Sequence, residues 1–89
     1  MRIKNFEWDY NNIRHIRRHD VMPTEVAEVV FDGPIYLRTR DERYIVFGIT
    51  KNGRYLFVAF KKIGTDKMRV ITARDMTKKE KQYYKKRRG

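Results

Sequence analysis

Arg43-Tyr44-Ile45-Val46-Phe47-Gly48-Ile49-Thr50 and Arg54-Tyr55-Leu56-Phe57-Val58-Ala59-Phe60-Lys61 flank Lys51-Asn52-Gly53, and this stretch decides the fold. Both flanks are dense in β-branched and aromatic residues, which suit a pleated, half-buried surface. Asn52-Gly53 is the strongest short-range hairpin signal, because both residue types tolerate positive φ. Working outward, Gly64-Thr65-Asp66 reads as a second turn leading into a strand at 67–73, and residues 35–40 read as an added edge strand.

Helices are signalled on either side of this β block. Arg2 to Glu7 alternates weakly as a short strand ending at Trp8. Asp9 then offers a carboxylate to cap a helix over 10–19, with Tyr10, Ile13 and Ile16 toward one side. Pro23 suits the first turn of a second helix, Glu25 and Glu28 lie near its positive end, and Val26, Val29 and Val30 form an apolar stripe. Asp32-Gly33-Pro34 ends it. Thr77-Lys78-Lys79-Glu80 has the capping-box spacing and opens a basic helix through about Lys86, with 85–89 expected to fray. The order is a short N-terminal strand, two helices, an antiparallel β-meander and a basic C-terminal helix, an α+β class, in a single domain spanning 1–89.

The 89 residues carry 22 Lys and Arg against 11 Asp and Glu, a net charge of +11. Such a field attracts polyanions, with nucleic acid first, an acidic protein segment second and an anionic membrane third. Residues 67–89 hold 10 basic and 2 acidic side chains, so the last quarter supplies most of the excess, unless it is simply a solvated face. Without cysteine there is no disulfide framework and no thiolate metal site. No apolar run approaches the roughly 20 residues that span a bilayer, and Met1 to Asn5 lacks a signal peptide's apolar stretch, so a soluble cytoplasmic protein is expected.

Several constellations could carry chemistry. His15 and His19 are four apart and stack on one helix face, flanked by Arg14 and Arg18. They can act as general acid and base, or simply pack and hydrogen-bond to backbone; a metal half-site lacks a third ligand. Glu42 beside Arg43 is either a salt-bridge partner or, if it lines a site with Arg69 and Arg74, a base for a ribose 2′-hydroxyl, the arginines stabilising phosphorane charge. Tyr83 and Tyr84 interleave with Lys78, Lys79, Lys81, Lys85 and Lys86, and can either stack bases or dock the helix; docking is favoured for one of them. Cysteine and serine nucleophiles, Gly-rich phosphate loops and acidic metal clusters are absent, which argues against proteases, NTPases and two-metal nucleases.

The ordered residues resemble the BrnT toxin family. The resemblance rests on Phe6-Glu7-Trp8-Asp9, His15 through Val21, Pro23 through Phe31, Glu42-Arg43, Gly48, Gly53 through Val58, Arg69 through Thr77, Glu80 and Tyr84. It runs from residue 6 to about 84, with Asp20 standing where many members have Gly, as in a divergent subgroup. It implies a RelE-like fold with a small antiparallel sheet flanked by helices, and metal-independent endoribonuclease activity that stops translation. It further implies neutralisation by a BrnA-like ribbon-helix-helix antitoxin, with DNA contacted only through that antitoxin. The resemblance locates Arg18, His19, Glu42, Arg43, Arg69 and Arg74, and the chemistry of the residues themselves assigns His15, His19, Glu42, Arg43, Arg69 and Arg74 to catalysis. Arg14, Arg18, Arg54, Lys78, Lys81 and Tyr84 are expected to hold RNA, and no metal or other cofactor is expected. The alternatives are a non-catalytic basic nucleic-acid-binding module and an interaction protein whose basic face holds an acidic antitoxin.

Overall fold

The central hairpin forms between Arg43–Ile49 (β3) and Tyr55–Ile63 (β4) in the computed structural model, which describes residues 5–32 and 35–88. The turn is one residue longer than Asn52-Gly53 alone would make it. Thr50 N–H donates to the Arg54 carbonyl at 2.8 Å, and Gly53, at φ 84°, is the only residue of the loop with positive φ. This three-residue loop sets Arg43 opposite Lys61 and Val46 opposite Val58.

Ile35–Arg38 (β2) pairs antiparallel with β3, and Lys67–Asp75 (β5) pairs antiparallel with β4. Asn5–Glu7 (β1) pairs parallel with β5, giving the order β1-β5-β4-β3-β2. The sheet is therefore mixed, where an all-antiparallel one was expected. Residues 2–4 of the anticipated first strand, and Gly33-Pro34 of the anticipated helix stop, lie outside the described residues. Opposite Ala59 and Phe60 stand Thr72 and Val70, so Ile71 is an extra, unpaired residue: a β-bulge in β5.

The sheet is covered on both faces. Tyr10–Arg17 (α1) and Pro23–Asp32 (α2) pack one side, where Ile16, Val21, Val26, Val29 and Val30 meet Val46, Leu56, Val58, Phe60, Met68 and Val70. Gly48 lets α2 approach, since a Cβ there would lie 2.9 Å from Val29 Cγ1. Lys78–Arg88 (α3) packs the other side, where Tyr84 and Met76 meet Phe47, with Tyr55 and Phe57 alongside. The capping box of α3 forms: Thr77 N–H donates to Glu80 Oε1 at 2.8 Å and Glu80 N–H to Thr77 Oγ1 at 3.2 Å. The helix runs to Arg88, past the point where fraying was expected.

Two details of α1 differ from expectation. Tyr10 is 73% exposed, leaving Ile16 as the buried anchor. The helix also stops at Arg17, because Asp20 adopts a left-handed φ of 61°. Val21 N–H donates to the Ile16 carbonyl and Asp20 N–H to the Arg17 carbonyl, the paired bonds of a Schellman terminus. Val21 and Ile16, the residues such a terminus brings together, are both fully buried.

Candidate active site

α1 begins where β1 ends, and this handover builds a cleft. Asp9 caps α1: its Oδ1 accepts from Asn12 N–H at 3.0 Å, while Asn12 Oδ1 accepts from Asp9 N–H at 2.8 Å. Asn12 Nδ2 donates to the Glu7 carbonyl at 2.8 Å and to the Val70 carbonyl at 3.4 Å. A helix side chain thus takes over β5's hydrogen bonding where its three-residue neighbour stops. The resulting cleft, about 270 Å³, is lined by Asn11, Asn12 and His15 of α1 and by Arg69, Val70 and the bulge residue Ile71 of β5.

Arg69 is held from the β1 side, where Nη1 donates to Asp9 Oδ2 at 2.6 Å and to Glu7 Oε1 at 3.1 Å. The Arg69 hydrogen bond, with Asn12 N–H second, lowers the Asp9 pKa, and the same carboxylates raise that of the guanidinium. Both bonds use Nη1. His15 on α1 and His19 just past its end are both exposed, with ring centroids 6.0 Å apart and ring planes tilted by 61°, edge toward face. The fold therefore sets His15 and Arg69 on the same cleft, with the His19 ring beside His15 but outside the cleft's lining.

It does not gather Glu42 with Arg69 and Arg74, as the sequence had led us to expect. Glu42 lies in the β2–β3 turn at φ 61°, and its Oε1 accepts from Arg38 at 3.0 Å. Arg43 is two strands from Arg69, roughly 10 Å at normal strand spacing. Arg74 is four residues past the bulge partner Val70. It forms a two-pronged pair with Glu80 at 2.8 and 3.1 Å and lies 3.9 Å above the Phe57 ring. That pair lowers the Glu80 pKa and anchors the start of α3.

Of the residues expected to hold RNA, Arg14, Arg18, Lys78 and Lys81 are exposed, Arg14 over the Tyr10 ring and Lys81 over the Tyr55 ring. Tyr84 requires correction, because its ring is only 2% exposed, packed edge-on against Tyr55 and out of reach of a base. Arg54 requires it too. Its guanidinium donates to Asp75, Glu25 and the carbonyls of His19 and Asp20, so every nitrogen is already engaged within the protein. Sequence reasoning missed Lys61, which is exposed and stands in register between Arg43 and Arg69. A two-residue turn would have set Lys62 opposite Arg43 and turned Lys61 to the other face. Among the described residues, no three His, Cys, Asp or Glu side chains converge to hold a metal ion, and no helix is long and apolar enough to cross a membrane.

The model of a protein family described as "Ribonuclease toxin, BrnT, of type II toxin-antitoxin system" matches residues 8–80, from the residue before α1's cap to the acid that caps α3. The chain belongs to the BrnT family. BrnT proteins are ribonuclease toxins, so the activity is endoribonucleolytic, the target is RNA and the system includes an antitoxin. The fold agrees with that of a solved BrnT, the ribonuclease toxin of Brucella abortus, at a TM-score of 0.69 and 20% identity, covering 83% of this chain and 97% of the other. A comparison with curated proteins finds no match. The BrnT match includes both walls of the α1–β5 cleft and stops eight residues before the end of α3.

Proposed function

We propose that this BrnT chain cleaves RNA without a metal in the α1–β5 cleft, with His15 and His19 as acid and base and Arg69 as the phosphate clamp. The carrying observation is that His15 and Arg69 line the same cleft. In the reaction one imidazole takes the 2′-hydroxyl proton and the 2′-oxygen bonds to phosphorus. The P–O5′ bond breaks, and the leaving oxygen takes a proton from the other imidazole. The products are a 2′,3′-cyclic phosphate and a 5′-hydroxyl. A base and an acid each work about 3 Å from the oxygen they serve, a span in keeping with rings 6.0 Å apart. With Nη1 of Arg69 occupied, Nε and Nη2 serve the non-bridging phosphate oxygens, whose charge rises as the phosphorane forms. Arg43 and Lys61 extend the cationic row across the sheet and hold neighbouring phosphates. Glu42, on the far turn, orients Arg38 and takes no proton from RNA in this scheme.

The reading extends to a cytoplasmic setting and to a BrnA-like ribbon-helix-helix antitoxin, through which alone the complex touches DNA. The test is incubation of the purified chain with a 5′-labelled oligoribonucleotide in EDTA. Cleavage leaving a cyclic phosphate, blocked by a 2′-deoxy substitution at the cut site, is expected. His15→Ala, His19→Ala and Arg69→Ala should each cost about 100-fold or more. Cleavage that requires added Mg²⁺, or full activity in His15→Ala and His19→Ala, overturns the proposal.

A further inference from the structure

We propose that the groove between β2–β3 and the N-terminal half of α3 is where the antitoxin docks, and that the docking segment is acidic with a central apolar side chain. The inference rests on the toxin reading above but concerns a different surface. The groove, about 230 Å³, is lined by Leu37, Phe47 and Tyr83 with Lys79 and Glu80 at its rim, and its wall is almost wholly apolar. It lies beside β2, an edge strand whose outer side pairs with no other strand among the described residues, so an extended peptide can add to the sheet as it fills the groove.

Charge decides the partner's chemistry. At the groove, Lys79 stands exposed at the rim and Arg87 lies over the Tyr83 ring, on a helix whose other exposed charges are also basic. Its one acid, Glu80, is consumed by Arg74. The Arg87 guanidinium sits 5.1 Å from the centre of the Tyr83 ring, carrying positive charge to the groove wall. An apolar slot framed by unneutralised cations fits an acidic amphipathic peptide. RNA fits it less well, because phosphates need converging cations and the slot offers apolar surface instead. The α1–β5 cleft lies at the opposite side of the sheet order, next to β1. The antitoxin would therefore be anchored on α3 and reach the cleft from there.

The test uses the full chain and the purified antitoxin encoded with it. Lys79→Glu, and separately Lys79→Glu with Tyr83→Ser, should weaken antitoxin binding by tenfold or more in calorimetry. RNA cleavage should stay near that of the unmodified chain in both variants, and the thermal midpoint should stay near it in Lys79→Glu. A benzoylphenylalanine photocrosslinker replacing Leu37 should attach to an antitoxin peptide rich in Asp and Glu around a Leu, Ile or Phe. Unchanged antitoxin affinity in both variants overturns the proposal, as does crosslinking to a segment without acidic residues. A loss of affinity for a single-stranded oligoribonucleotide in place of the antitoxin overturns it in favour of RNA. Because binding is read without cleavage, an inactive but antitoxin-binding chain would sink the ribonuclease site alone.

Discussion

Arg54 caps the C-terminus of α1 through His19, donating from Nη2 to the His19 carbonyl at 2.9 Å. The same guanidinium reaches the Asp20 carbonyl, Glu25 at 3.2 Å and Asp75 at 2.7 Å, so one half-buried side chain just before β4 ties together α1, α2 and the end of β5. Its charge suits the negative end of the helix dipole.

Removing it should therefore unfasten the turn that carries His19. Arg54→Ala is expected to cost about 2 kcal/mol, because hydrogen bonds to charged groups are lost and acceptors are left behind. That corresponds to a fall of roughly 10 °C in thermal midpoint, measurable by circular dichroism. Arg54→Lys should recover little of it, since an ammonium cannot fork between two carbonyls and two carboxylates. A midpoint within two degrees of the parent would show that the clamp is dispensable.

Asp20 holds a conformation better suited to glycine. A left-handed residue with a Cβ costs about 1 kcal/mol, and here it occupies the terminus that Schellman pairing assigns to glycine. Asp20→Gly is expected to raise the thermal midpoint by roughly 5 °C. A lower midpoint would mean that the Asp20 side chain contributes more than its backbone strain costs.

Acid should loosen the Arg54 tether and two others like it. Hydrogen bonds from Arg54 to Asp75, from Arg69 to Asp9 and from Arg74 to Glu80 hold these carboxyls below their ordinary values of 3.8 for Asp and 4.5 for Glu. A folded-state pKa below the unfolded one stabilises at pH above the unfolded value, and the gain disappears as pH falls through the folded value. The urea midpoint should therefore be insensitive to these groups above about pH 5 and fall progressively below pH 4.5. Glu80→Gln should lower the neutral-pH midpoint and flatten the onset of that fall. An unchanged acid limb in Glu80→Gln would remove the Arg74–Glu80 pair from the account.

Lys61 should behave as a phosphate contact, not as a reader of bases. Lys61→Ala is expected to weaken oligoribonucleotide binding to a similar extent for all sequences and to reduce the slope of log K against log salt by about one. Arg43→Ala should act alike, whereas Lys62→Ala, one residue out of the row, should not. A sequence-dependent loss would assign Lys61 a different role.

Much of the architecture was legible because its signals are local. Asp9, Pro23, Thr77 and Glu80 are end signals read within one turn, and Val26, Val29 and Val30 are buried as their spacing requires. The hairpin was legible as a hairpin, but its register depended on whether Thr50 or Lys51 closes the loop, and that single residue decides which lysine joins Arg43 and Arg69. The site was only half legible for a related reason. His15 could be singled out from composition, but that it shares a cleft with Arg69 depends on contacts between residues more than fifty positions apart, which no periodicity encodes. Tyr84 and Arg54 were misassigned because an aromatic or a guanidinium looks the same in sequence whether it docks a helix or faces solvent.

The pairing of β1 with β5 also has a temporal meaning. The Arg69–Glu7 bond spans 62 residues and the Asn12–Val70 bond 58, and chains are synthesised from the N-terminus. His15 is therefore made early, yet the wall that faces it exists only once the fifth strand has emerged and folded back. A chain that stops short of β5 carries His15 and His19 but lacks Arg69 and the wall that completes the cleft, and on the proposed mechanism such a fragment does not cut RNA.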